Sequence, residues 1–297
     1  MPDWLITYLG SLQGGIVRTL AAELRAGGLG TAWLALGLGA LHALTPGHGK
    51  AALAAYFLGR EAGVGKGVRI VAYGVVRLLA GLVFSLGLIL VIVGGAELFT
   101  GNTLMVMACA SGKVHVGGVL RAWGVVYLGN FMGAAGMAVL VYLSAGCAHG
   151  NGAVGLAALA SADGKASLSG LQALVHGILA NVLVCLAVWL CFSARTTTDK
   201  ILAIVPPVAA FSAAGFEHSI ANMYLLTFAL LTKFAAPAVF WDAINRTPST
   251  FPHLAMVASL TNLLWVTLGN MIGGMLVGIT YWFIYLRKNR SFPPKPQ

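Results

Sequence analysis

Charge is what this chain has least of. Only 9% of its 297 residues are Asp, Glu, Lys or Arg, whereas 59% are hydrophobic and the mean hydropathy is +0.87. A soluble domain carries about 25% charged residues, so the composition excludes one and points to a polytopic membrane protein. The four cysteines (Cys109, Cys147, Cys185 and Cys191) show no CxxC spacing and no pairing framework, which leaves buried thiols as their reading. No nucleophile–base pair and no cofactor fingerprint is present, so neither an enzyme nor a cofactor is expected. Residues 1–25 lack a clean apolar core, being interrupted by Arg18, Glu23 and Arg25, and no cleavable signal peptide is expected. The formal charge of +10 does not indicate nucleic-acid binding, because the basic residues are scattered through short loops and the C-terminal tail as topology signals.

Apolar runs and glycine are what the chain has in quantity. Its 39 glycines suit close helix packing in lipid. Residues 4–25 read as an interfacial amphipathic helix, and residues 29–58 as an apolar stretch broken at PGHGK, residues 46–50. Spans are then expected at 72–96, 122–145, 171–193, 201–231 and 257–287, each near or above the roughly 20 residues that a crossing needs. A short apolar piece, 103–110, follows the first of these. Residues 146–170 and 232–256 read as outer connections. If the spans alternate, Lys113 and Arg121, Arg195 and Lys200, and Arg287, Lys288 and Arg290 share one side, the cytoplasmic one. Arg60, Lys66, Arg69 and Arg77 fall on the other side if one span precedes them, which conflicts with that rule.

A repeat runs through the apolar segments. The pattern G-x-E-x-x-x-x-N occurs at residues 95–102 and again at 215–222, and L-G-N-x-x-G occurs at 128–133 and again at 268–273. A carboxylate inside a membrane helix is costly and marks function. Interrupted helices at matching places in two halves are the sequence mark of a transporter or channel with its site near the bilayer midplane. The order is broken helix, LGN helix, single helix, broken helix, LGN helix. An odd number of spans per half inverts the copies. The region before residue 61 does not look like 171–193, so the symmetry fails at the first helix.

His218, next to Glu217 at the second break, is the sharpest candidate for chemistry. Free N–H groups and half-helix N-termini suit a small anion, and an imidazole there can donate a hydrogen bond or hand over a proton. The plainer alternative is a core histidine bonded to a carbonyl. Glu97 and Glu217 would repel an anion, so they are read as structural groups accepting hydrogen bonds from unwound N–H groups. Thr100 can offer its hydroxyl and N–H at the first break, or bond locally. Asn181 and Asn270 either line a pore or hold helices together, and Asn130 is read as helix glue. Phe84, Leu88, Leu98, Phe99 and Phe211 are constriction candidates that alone would pass as ordinary packing. Lys165, before the 171–193 span, reads as a loop lysine that could draw anions. His42, His48 and Lys50 suggest an incomplete transition-metal path.

Several long motifs carry a resemblance. Residues 77–102 (RLLAGLVFSLGLILVIVGGAELFTGN), 177–189 (GILANVLVCLAVW), 213–223 (AAGFEHSIANM) and 266–274 (VTLGNMIGG) resemble the formate/nitrite transporter family, its formate channel branch most closely, over about residues 76–290. The resemblance implies an all-α membrane fold, an aquaporin-like inverted three-helix repeat with two broken helices, assembled as homopentamers with a pore in each protomer. It implies His218 as the central pore residue, Thr100 and the vestibule Lys165 as substrate contacts, and Asn181 and Asn270 as pore asparagines. It places the constrictions at Phe84, Leu88, Leu98, Phe99, Val184 and Phe211. Residues 22–28 (AELRAGG) and 38–61, with HALTPGHGK, resemble instead the start of the nickel/cobalt exporter family.

The chain is therefore read as three parts: an atypical N-terminal segment 1–70, a channel-like transmembrane domain 71–290 and a cytoplasmic tail 291–297. The expected function is passage of small monovalent anions, formate before nitrite, with or without a proton, through a multi-pass protein of the bacterial inner membrane. The expected partners are the anion, the bilayer and four further copies, with no nucleic acid and no bound metal. The rival readings are nickel/cobalt efflux through the HALTPGHGK segment and a mosaic that transports nothing.

Overall fold

The computed structural model describes residues 81–287, and among them no strand occurs. The N-terminal segment with His42, His48 and Lys50, and the tail 291–297, lie outside the described residues. The helices in chain order are α1 (Gly81–Ile92), α2 (Phe99–Ala110, with a 3₁₀ turn at Thr103–Met105), α3 (Val116–Leu143), α4 (Ala153–Ala166), α5 (Gly170–Cys191), α6 (Thr197–Ala214), α7 (Ser219–Ala235), α8 (Ala238–Ile244) and α9 (Met256–Tyr281), which runs on as a π-helical turn to Leu286.

Three of these, α3, α5 and α9, are long and apolar enough to cross a bilayer, and α6 with α7 forms a fourth candidate bent by 51° at its break. Their surfaces support that reading. Leu120, Val125, Leu128, Met132, Leu140 and Leu143 on α3 are all exposed, and a helix apolar all round belongs in a core or in lipid.

Local chemistry sets the helix ends. Ser169 and Gln172 exchange side-chain and backbone bonds in a capping box that opens α5, and Thr196 and Asp199 do the same for α6. Helix α6 stops at Gly215, whose φ of 72° is a conformation glycine adopts without penalty; Gly95, with φ 76°, takes the matching place after α1. The largest helix pair, α5 on α9, is a glycine contact. A Cβ on Gly269 would stand 2.2 Å from the Leu174 carbonyl oxygen, and one on Gly273 2.4 Å from that of Ile178. The glycines of the second L-G-N-x-x-G copy thus let two backbones touch, as membrane helices commonly do.

Two segments read as outer connections contain helices. Residues 153–166 are helical as α4, so Lys165 belongs to the last turn of a helix and not to a loop. Residues 238–244 form α8. Both pack through Leu159 and Phe240 onto Leu226 of α7 and onto Leu254, a core that tethers this end of the protein. The breaks are also shorter than the motifs that mark them. At these two breaks the chain is non-helical over 93–98 and 215–218 alone, so Thr100 and Asn222 lie in the first turns of α2 and α7.

Candidate functional site

The two breaks are built alike, bond for bond. At the first, the Asn102 amide donates to Glu97 Oε2 at 2.6 Å; at the second, Asn222 donates to Glu217 Oε2 at 2.6 Å. The N–H of Phe99 donates to Asn130 Oδ1 at 2.9 Å, and that of Ser219 to Asn270 Oδ1 at 2.9 Å. Asn130 Nδ2 donates to the Glu97 carbonyl at 3.0 Å, and Asn270 Nδ2 to that of Glu217 at 3.1 Å. Unwinding a helix inside lipid strands backbone groups that water cannot reach, and the LGN asparagine of each half meets one donor and one acceptor of its break.

This corrects the expectation for the carboxylates. The side chains of Glu97 and Glu217 accept from asparagine amides, while the unwound N–H groups go to Asn130 and Asn270. The asparagine that ends each G-x-E-x-x-x-x-N copy is there to bond the carboxylate of its own break. The glutamate lies inside the break and the asparagine in the first turn of the helix that follows, so the chain folds back far enough over five positions for them to meet.

The second break carries more. Lys165 Nζ donates to Glu217 Oε1 at 2.8 Å. Asn222 also donates to Asn262 Oδ1, and Asn262 Nδ2 donates to the Lys165 carbonyl. Glu217 is 5% exposed and Lys165 20%. A buried ion pair of this kind holds together only when its remaining lone pairs are also bonded, and Asn222 bonds the other oxygen. Asn262 was not singled out in the sequence, since nothing local distinguishes it from any polar residue in α9.

His218 is the N-cap of α7. Its Nδ1 accepts the N–H of Ala221 at 3.3 Å. That bond leaves the neutral ring's proton on Nε2, which stands 3.0 Å from Thr100 Oγ1. Nε2–H therefore donates to the Thr100 hydroxyl, and the hydroxyl keeps its own proton to give elsewhere. The ring is 4% exposed. It lies in a near-parallel stack on Phe211, centroids 5.9 Å apart, and edge-on to Phe84 at 6.0 Å.

These groups border a cavity of about 710 Å³. Of the residues expected to line a passage, Phe84, Leu88, Leu98, Val184, Phe211, Lys165 and His218 are on its wall, joined by Asn130, Ile220 and Asn222. Phe99, Thr100, Asn181 and Asn270 are not part of that wall among the described residues. Phe99 turns away because its ring packs against Tyr127 and Trp123, with centroids 4.9 and 6.4 Å off. Thr100 is fully buried and meets the site only through its hydroxyl. Asn270 is fully buried on its break and on the Gly177 carbonyl. Asn181 is equally buried, its Nδ2 facing the carbonyls of Thr100 and Asn270 and the Thr103 hydroxyl, so both asparagines fasten helices together here. Among the described residues no cluster of three or more His, Cys, Asp or Glu side chains forms a metal site.

Known proteins share this architecture. The family profile for formate/nitrite transporters matches residues 16–283, a range that includes the HALTPGHGK stretch. The formate channel FocA of Escherichia coli (strain K12) is 46% identical over 219 residues, covering 73% of this chain and 77% of its own. The formate channel FocA of Haemophilus influenzae is 39% identical, with coverage of 69% and 72%. A solved pentameric formate channel with formate bound superposes with a TM-score of 0.68 at 44% identity, over 72% of this chain and 85% of that one. With the profile spanning most of the sequence and the fold matched over more than two thirds of it, this multi-pass membrane protein belongs to the formate/nitrite transporter family.

Proposed function

We propose that each protomer of a homopentamer passes small monovalent anions across the bacterial inner membrane, formate in preference to nitrite, with the C-terminus in the cytoplasm. Support comes from the named activity of the similar channels and from the geometry. The observation that carries the reading is the His218–Thr100 pair: His218 stands on the wall of the cavity beside the rings of Phe84 and Phe211, and the buried Thr100 hydroxyl meets it from behind.

An anion shedding water between apolar side chains needs replacement donors. Nε2–H of His218, exchanging its bond to Thr100 Oγ1 for one to the anion, and the hydroxyl of Thr100 are those donors, with Ala221 N–H holding the ring in the tautomer that keeps a proton on Nε2. Lys165 draws anions to the cavity. Its pairing with Glu217 keeps its field weak enough for the anion to leave again, since conduction requires entry and release alike. Phe84, Leu88, Leu98, Val184 and Phe211 make the dry walls. In this reading the ring takes up a second proton at Nδ1 from the aqueous side, giving up its bond to Ala221 N–H, then hands one proton from Nε2 to the anion and returns to the neutral form; this removes the charge that makes hydrocarbon hard to cross, and motion of the 97–102 segment gates the path.

The test is His218→Phe in proteoliposomes loaded for formate influx. A charge-assisted donor is worth about 1.5–3 kcal/mol, so flux should fall by about tenfold or more. Flux at the wild-type rate from correctly assembled protein refutes the role.

A further inference from the structure

The near-identity of the two breaks makes one difference between them informative. Leu98 and His218 occupy the same place. Each is the N-cap of its helix, with φ −127°, ψ 120° for Leu98 and φ −119°, ψ 118° for His218, and each follows the carboxylate that the asparagine five positions on engages. Two residues further along, Thr100 matches Ile220. The pair that meets across the site is therefore position 218 of one half with position 100 of the other. Its mirror image is position 98 with position 220. Both of those side chains, Leu98 and Ile220, line the same cavity.

From this geometry we propose that Leu98 and Ile220 are specificity-determining residues. They are the dry counterpart of the His218–Thr100 donor pair, and they make the passage hold a monovalent anion at one donor pair instead of two. The inference rests on the donor role given to His218 and Thr100 above. The backbone would accept donors at the mirrored place equally well. Leu98 makes no side-chain cap bond to α2, whereas His218 caps α7 through the N–H of Ala221. An imidazole at position 98 would find the N–H of Gly101 in the corresponding position. Two donor pairs facing one cavity would grip an anion twice and release it slowly. Apolar side chains at one of the two places leave a single weak site and a path out.

The experiment has three arms in proteoliposomes, each with assembly checked by gel filtration. His218→Leu with Thr100→Ile removes the donor pair, and formate flux should fall by about tenfold or more. Unchanged flux in this arm would overturn the donor reading itself. Adding Leu98→His and Ile220→Thr to that background moves the pair to its mirror position, and flux should return to within about tenfold of wild type. An assembled but inactive protein there, with the first arm also inactive, overturns the mirrored-gate inference alone. If the fourfold variant does not assemble, Leu98→His with Ile220→Thr on the native background decides. A second donor pair should lower the half-saturating formate concentration by about threefold or more, and an unchanged value overturns the inference.

Discussion

Replacing Asn270 by leucine should damage the fold far more than the same change at Asn130, although the two make matching bonds. Each side chain holds one N–H and one C=O of a break: Ser219 and Glu217 for Asn270, Phe99 and Glu97 for Asn130. Those N–H groups sit at the first position of a helix and have no intrahelical acceptor. Leaving a buried donor or acceptor unmet costs about 1–3 kcal/mol each. Asn270 has no exposure and its neighbours cannot turn to water, so the two orphans cost about 2–6 kcal/mol. Asn130 is half-buried on the cavity wall, where water can replace the amide, and the loss there is about 1 kcal/mol.

An average interhelical hydrogen bond in lipid is worth only about 0.6 kcal/mol, because a free side chain finds other partners. A backbone group pinned in a break does not. Thermal unfolding in detergent, followed by tryptophan fluorescence, measures both variants. For about 4 kcal/mol the midpoint of Asn270→Leu should drop by roughly 10 °C, with Asn130→Leu only a few degrees below wild type. Equal drops, or the reverse order, would refute the argument from burial.

Two further outcomes follow from the same contacts. Lys165→Met strands the Glu217 carboxylate, a change that costs about 3–5 kcal/mol when one member of a buried pair is removed. Adding Glu217→Gln should recover most of it, and a double-mutant cycle with additive losses would show the pair to be uncoupled. Gly274→Ala should cost about 1–3 kcal/mol by overpacking, because the new Cβ would stand 1.8 Å from Thr103 Oγ1 and 2.7 Å from Asn181 Nδ2; an unshifted unfolding midpoint would show that α2 can back away.

The breaks were legible because their signals are local. A glycine free to take positive φ, followed by a carboxylate in an apolar run, names the site of unwinding whatever packs around it, and Gly95 and Gly215 both take that conformation. The L-G-N-x-x-G repeat was equally plain as a pattern, but its two copies turned out to serve different surfaces. Gly269 and Gly273 face the backbone of α5, whereas Gly129 and Gly133 border the cavity. The many alanines and glycines of α4 carry little periodic signal, so the helical setting of Lys165 is not visible in the sequence.

Local chemistry alone determined that the chain unwinds within apolar segments before Phe99 and before Ser219, that each of these breaks carries an acid followed five positions on by an amide, and that an imidazole lies at the second. Tertiary structure decided which polar groups face open space. His218 meets Thr100 across 118 positions of sequence, Lys165 meets Glu217 across 52, and Phe99 turns to α3 instead of the cavity. Asparagines 181 and 270 are fasteners for the same reason: backbone groups stranded in lipid must be satisfied from wherever the fold brings a donor or acceptor, and no local pattern says from where.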